Sequence, residues 1–191
     1  MSRFFIPLES ASRESRVAAT PETVKKFIAL GCSIYLEKGA GTLAGFLDKA
    51  YEDVGAELID QNNTKILSEV DAVLCVQEPK NDLLSKLSAG TLLVGLLSPY
   101  GNKQLGKNLE DFKLSALSLE LLPRISRAQS ADALSSQANI GGYKAVLLAA
   151  SSLDRYFPML MTAAGTVQPA KVVVLGASVA NLQAIATAKR L

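Results

Sequence analysis

Short apolar runs alternate with longer helical patterns along the first two thirds of the chain, and this rhythm restricts the fold more than any other feature. Phe4-Phe5-Ile6, Ser33 to Leu36, Glu57 to Ile59, Ala72 to Val76, Leu92 to Leu96 and Lys113 to Ser118 read as strands. Helical segments are expected from Thr20-Pro21-Glu22 to Leu30, from Phe46 to Val54, and near Ile66, Leu83 and Leu105. The first of these carries its own punctuation: Thr20 at the N-cap, Pro21 at the first helical position, Glu22 in the first turn and Gly31 past the end. Gly55 closes the second in the same way. Consecutive strands linked by helices run parallel in one sheet, so the rhythm predicts an α/β fold with a mostly parallel sheet covered by helices.

The last third reads differently. Ser130 to Ser152 predicts one long helix, with Asp132 placed to complement the helix dipole. Gly141-Gly142 either weakens that helix or lets it approach a neighbour closely. A loop, Thr162-Ala163-Ala164-Gly165-Thr166, follows Pro158. Lys171-Val172-Val173-Val174-Leu175 is the cleanest strand pattern in the chain, and a helix is expected from Val179 to Leu191. One strand, one turn and one helix cannot bury both faces of a sheet. This stretch therefore reads as the start of a second unit, truncated after its first βα element.

Composition removes several function classes. Twenty Lys+Arg against 18 Asp+Glu give a net charge of +2, so no nucleic-acid partner is expected. There is no histidine, which removes the commonest neutral-pH acid-base group and the commonest metal ligand. Cys32 and Cys75 lie in separate apolar runs without metal-ligand spacing. They read as buried free thiols in a reducing compartment, and no metal is expected. The apolar stretch around Val146 to Ala150 is broken by Asp154 and Arg155, well short of the ~20 residues a span needs. Phe4 to Leu8 after Arg3 is too short for a secretory signal. No direct membrane insertion is expected.

Two glycine motifs follow predicted strands. Gly176-Ala177-Ser178-Val179-Ala180-Asn181 sits where a dinucleotide fingerprint belongs, between a strand and a helix. Only its first glycine is present. Ser178 puts a side chain where the backbone should approach a pyrophosphate, and Asn181 is bulky where close helix-strand packing is wanted. The acidic ribose partner expected about 20 residues further on lies past Leu191. Read from the residues alone, an ordinary strand-turn-helix corner explains the motif equally. Gly39-Ala40-Gly41-Thr42-Leu43-Ala44-Gly45 reads as a structural turn.

The segment PRISRAQSADALSSQANIGGY, residues 123–143, resembles almost residue for residue the mobile nicotinamide-side loop of proton-translocating NAD(P) transhydrogenase alpha subunits. MTAAGTVQPAKVVVLGASVANLQAIATAKRL, residues 161–191, is similar to the segment that forms the NAD site there, departing from it at Ser178 and Asn181. FFIPLESASRESRVAATPETVKKFIALG, residues 4–31, resembles the opening shared by those subunits and alanine dehydrogenases. The resemblance covers essentially the whole chain.

It implies a Rossmann-like parallel-sheet N-terminal domain over residues 1–125. Residues 126–191 would then hold a connecting loop and helix and the first βα element of a dinucleotide-binding domain. It further implies a component that binds NAD(H), with NADP(H) on a partner domain, and hydride transfer coupled to proton translocation. The implied assembly is a homodimer docked on membrane-spanning and NADP-binding components, on the cytoplasmic or mitochondrial-matrix side. Arg124, Gln129, Asp132 and Ser135 match the catalytic loop positions. Asp132 and Ser135 would fix the carboxamide, Arg124 would meet cofactor oxygens and Gln129 would bridge to the second nucleotide. Gly165, Gly176, Ala177, Ser178 and Val179 match cofactor-binding positions. Without the resemblance, helix capping and solvation explain the four loop residues.

The same resemblance raises a rival. Alanine dehydrogenase needs an arginine, a lysine and a proton-transferring histidine, because it oxidises an amine. Arg16 matches the arginine, and an ion-pair role also explains it. Gln77 stands at the lysine position, and Val94-Gly95-Leu96 holds no histidine. Hydride exchange between two nicotinamides needs no acid or base at the reacting carbons, only two rings held together and water excluded. Alanine dehydrogenase, and a non-catalytic relative keeping the fold and partner surface, remain as alternatives.

Overall fold

A computed structural model describes residues 1–60 and 62–191, which divide into two compact units, Met1–Pro123 and Arg124–Leu191. The first unit runs β1 (Arg3–Ile6), α1 (Pro21–Ala29), β2 (Ser33–Glu37), α2 (Asp48–Glu52), β3 (Glu57–Ile59) and α3 (Thr64–Leu67). It continues with β4 (Ala72–Leu74), α4 (Asn81–Leu84), β5 (Leu92–Gly95), α5 (Lys103–Asp111) and β6 (Ser115–Ser118). The six strands form one sheet in the order β3-β2-β1-β4-β5-β6, and every pairing is parallel. This is a Rossmann-like α/β fold.

The central position of β1 explains its sequence. A parallel sheet is covered on both faces, so its inner strands are continuously apolar rather than alternating. Phe5 and Ile6 are both 0 % exposed and point to opposite faces. Phe5 packs in a core with Val73, Leu93 and Leu97, while Ile6 packs with Ile34, Leu36 and Tyr51. Thr20 caps α1 by accepting from the Thr23 amide at 3.3 Å. Gly31, at φ 85°, takes the left-handed conformation that ends it.

The second helix is shorter than its pattern predicts. The Phe46 amide donates to the Gly41 carbonyl at 2.9 Å, so that residue belongs to the preceding turn, and α2 begins only at Asp48. The same turn shows why Gly39 to Gly45 is glycine-rich. A Cβ on Gly41 would lie 2.6 Å from the Tyr51 ring and 2.9 Å from the Phe46 carbonyl. These glycines serve packing around a buried tyrosine, whose hydroxyl donates to the Ala19 carbonyl at 3.0 Å.

The second unit has a 3-10 segment (Ser126–Ala131), α6 (Ala133–Ser152), a hairpin of β7 (Leu160–Thr162) and β8 (Gly165–Val167), and α7 (Val179–Arg190). Three expectations change here. The long helix starts at Ala133 rather than Ser130, because Asp132 is its N-cap. The segment at 162–166, expected as a loop, is the tip of an antiparallel hairpin. Lys171 to Leu175, the cleanest strand pattern, forms no strand among the described residues. A strand is defined by its neighbours, and β-propensity alone does not supply one. The hairpin takes no third strand, and Val173 and Leu175 are 83 % and 88 % exposed.

The glycine pair of α6 divides into two roles. A Cβ on Gly142 would overlap the Ala180 carbonyl group, whose carbon lies 2.8 Å from its position, so this glycine lets α6 and α7 touch. Gly141 has nothing within 4 Å of its missing Cβ. No helix among the described residues is long and apolar enough to cross a membrane.

Candidate functional site

Three of the four loop residues meet at the start of α6. Asp132 accepts from the Ser135 amide at 2.9 Å through Oδ1 and from the Ser135 hydroxyl at 2.6 Å through Oδ2. These bonds, the side-chain one foremost, hold its carboxyl below the usual range, and the positive charge of Arg124 adds to the effect. Gln129 joins through its backbone, its carbonyl accepting from the Asp132 amide at 3.3 Å. Gln129 and Arg124 are exposed. The result is a pre-formed polar corner: one carboxylate and one hydroxyl fixed on each other, with a guanidinium nearby. It can offer oxygen acceptors and a charge-assisted donor to an amide-bearing ligand.

The glycine turn lies before α7. Gly176 has φ 104°, a conformation that favours glycine. Ser178 is the N-cap residue, but its side chain makes no capping bond. The first-turn amides of α7 therefore lack a side-chain acceptor, which is the arrangement that receives phosphate oxygens. The Ser178 hydroxyl instead donates to Asn181 Oδ1, and Asn181 Nδ2 donates to the Leu175 carbonyl at 2.8 Å. Asn181 thus folds back over the turn, 3.5 Å from the missing Cβ of Gly176. Gly165 stands in the β7–β8 hairpin at φ 138°.

The helix register separates the two groups. Asn139 contacts Gln183 at 3.3 Å, and Gly142 faces Ala180, so α6 and α7 run antiparallel. By that register Ser178 lies level with residue 144 of α6, twelve residues from Asp132. At about 1.5 Å per residue, the polar corner and the glycine turn stand roughly 18 Å apart along the axis. They could serve an extended ligand at two points and could not close on a small one.

A second polar network carries no local sequence signature. It lies in the first unit, where loops leave β1 and β4. Glu9 accepts from the Val76 amide at 2.6 Å and the Gln77 amide at 3.1 Å. Burial, the largest influence, nevertheless leaves its carboxyl above the usual range. Glu14 takes the Arg16 guanidinium in a two-pronged pair at 2.8 and 2.7 Å and the Gln77 amide group at 2.6 Å. The Arg16 bond above all pulls Glu14 down to about 2. Arg16 is thus an ion-pair residue within its own chain. Glu37 ends β2, is 8 % exposed, and accepts from the Leu8 amide at 2.8 Å. Its one available signal is an acid at the last position of an apolar strand. Among the described residues, no group of three or more Cys, Asp or Glu side chains could hold a metal ion.

Residues 5–141 match the family model for the alanine dehydrogenase/PNT N-terminal domain, and residues 145–191 match the model for its C-terminal domain. An NAD(P) transhydrogenase alpha subunit from Rhodospirillum rubrum is 46 % identical over 97 % of this chain and 50 % of its own length. A transhydrogenase structure from Sinorhizobium meliloti superposes with a TM-score of 0.94 at 43 % identity, covering 99 % of this chain and 56 % of that one. An L-alanine dehydrogenase structure superposes with a TM-score of 0.84 at 26 % identity, covering 98 % and 52 %. The chain spans about half the length of the curated relatives it matches. It belongs to the alanine dehydrogenase/PNT family.

Proposed function

We propose that this chain is the NAD(H)-binding component of an NAD(P) transhydrogenase, whose reaction moves hydride between NADH and NADP and is coupled to proton translocation. The observation that carries the reading is Gln77. It stands where an alanine dehydrogenase has its lysine, and its amide donates to Glu14, which also holds Arg16. A carboxamide does not titrate, and the chain has no histidine to replace it. Amine oxidation, which must dispose of protons, lacks its acid-base residues here. The higher identity to the transhydrogenase structure, 43 % against 26 %, supports the same reading.

In this reading, residues 1–125 are the N-terminal domain and 126–191 carry the connecting loop and helix and the start of the NAD-binding domain. The uncapped first turn of α7 suits the phosphates of a dinucleotide, so Gly176, Ala177, Ser178 and Val179 would hold them, with Gly165 alongside. Bound NAD(H) supplies the hydride chemistry. Asp132 and Ser135 orient the carboxamide, Arg124 meets cofactor oxygens and Gln129 faces the second nucleotide. NADP(H) belongs to a partner domain. The assembly is a homodimer docked on membrane-spanning and NADP-binding components, on the cytoplasmic or mitochondrial-matrix side.

The test pairs an activity assay with binding. L-alanine should give no NAD reduction above a blank. Millimolar NADH should slow exchange of the Ser135 and Val179 amides. Alanine-dependent NAD reduction would move the chain to alanine dehydrogenase. No protection at either amide, with the fold intact, would make it a relative that keeps the fold without the cofactor.

A further inference from the structure

The strand order reverses between β1 and β4, and the loops leaving their carboxyl ends diverge there. Doubly wound sheets take ligands in the crevice this creates. In the first unit it is a cavity of about 280 Å³, bounded by Pro7, Glu9, Glu37, Cys75, Pro79 and Leu83 among others.

Three observations narrow its occupant. Glu37 is the last residue of β2, the place where such sheets put the carboxylate that receives a ribose diol. It is 8 % exposed and lines the cavity. Its Oε2 accepts from the Leu8 amide, while among the described residues no donor reaches Oε1. No fully enclosed side-chain oxygen among those residues lacks a partner, so Oε1 is reached from the cavity. A carboxylate oxygen in so confined a place is poorly solvated, and a ligand hydroxyl would satisfy it.

Phosphate is disfavoured by the opposite side of the crevice. The Val76 and Gln77 amides, the backbone donors at the end of β4, are already taken by Glu9, which adds negative charge. The loop Pro7-Leu8-Glu9-Ser10 after β1 has no glycine, and α1 begins only at Pro21, so no helix N-terminus follows the strand directly. Lys80 and Lys86 also line the cavity, but Lys86 is held by Asp82 at 2.7 Å. Size gives the third limit. The volume lies at the lower end of small-molecule sites, roughly 300 Å³ and upward, which suits a nucleoside and not a dinucleotide. Pro79 and Leu83 offer apolar surface to a base.

We propose that this cavity binds a nucleoside through its ribose diol, with Glu37 accepting the hydroxyls and Glu9 turning phosphate away. The site lies wholly within the first unit and stands or falls independently of the dinucleotide reading of the second.

Adenosine is the probe, titrated into the 191-residue chain while backbone amides are followed by NMR. Shifts are expected at Leu8, Val76 and Gln77. The 2′,3′-dideoxy analogue should bind about tenfold more weakly, the loss expected for one hydrogen bond to a charged acceptor. AMP should bind more weakly than adenosine. Glu37→Gln should cost about tenfold in adenosine affinity with the amide spectrum otherwise unchanged. Where that variant fails to fold, the dideoxy comparison on the unmodified chain decides. Equal binding of adenosine and its dideoxy analogue, tighter binding of AMP, or no shift at millimolar adenosine would overturn the proposal. Shifts confined to residues 176–181 would overturn it too, by moving the nucleoside to the second unit.

Discussion

Glu14 and Glu37 are both 8 % exposed yet opposite in electrostatics, and together they set how the first unit answers to pH. Glu14 is stabilised in its charged form by Arg16, and its folded pKa falls to about 2. A depressed carboxylate contributes stability above its unfolded pKa and loses it as pH falls through the folded value. Allowing for solvent around the half-exposed Arg16, Glu14→Gln should cost on the order of 2 kcal/mol at pH 7. The deficit should shrink as pH falls from the ordinary carboxylate range toward 2. Glu37 behaves in reverse. Burial, its largest influence, raises its pKa, so its neutral form is favoured in the folded state. That contribution is present at low pH and lost as pH rises through the folded pKa. Glu37→Gln, which keeps an oxygen for the Leu8 amide, should be more stable than the parent at pH 7 and indistinguishable from it in acid. Urea titrations of both variants across pH check the two signs. A deficit for Glu37→Gln at pH 7 would show that the charge is satisfied by a partner.

At the scale of elements, the glycines of α6 give a sharper contrast. Gly141 and Gly142 are neighbours with identical propensity, and a helix interior prefers alanine at either by up to about 1 kcal/mol. Gly141 has open space around its missing Cβ, so Gly141→Ala should gain stability of roughly that size. Gly142 faces the Ala180 backbone, which cannot swing aside as a side-chain tip can. Gly142→Ala should lose stability, by about 1–3 kcal/mol, as α6 and α7 are forced apart. Thermal melts followed by far-ultraviolet circular dichroism separate the two outcomes.

The elements also show what the sequence could carry. The six sheet strands were legible because inner parallel strands are short continuous apolar runs, and β1 is the plainest case. Lys171 to Leu175 had the same pattern and made no strand, because pairing is a property of neighbours rather than of the run. The Asp132–Ser135 corner was legible because a cap and its partner lie three residues apart. The Glu14–Gln77 contact spans 63 residues and the Glu37–Leu8 contact 29, and no local period encodes either. Those acids find their partners only because the sheet order brings their loops together.

For the whole molecule, the two units differ in how much they bury. Both apolar cores lie in the first, with Phe5, Ile6, Leu36, Val73 and Leu93 at or near zero exposure. In the second, among the described residues, only Gly142, Val146 and Thr187 are buried. Apolar burial dominates stability, so the second unit should open first, below the global unfolding free energy. Hydrogen exchange should show the amides of Phe5, Ile6, Leu36 and Val73 protected to the global limit. Those of Lys171 to Leu175, which join no ladder, should exchange nearly unprotected, and those of α7 should lie between. Denaturation followed separately in each unit should give two midpoints, the second unit's lower. Ligands should then act on one unit at a time. NADH at about ten times its Kd should stabilise the opening of α7 by about 1.4 kcal/mol and leave β1 amides unchanged. Adenosine in the switch-point cavity should do the reverse. Coincident midpoints, or NADH protection that spreads equally over β1 and α7, would show that the chain folds as one cooperative body and that the weaker burial of the second unit is compensated elsewhere.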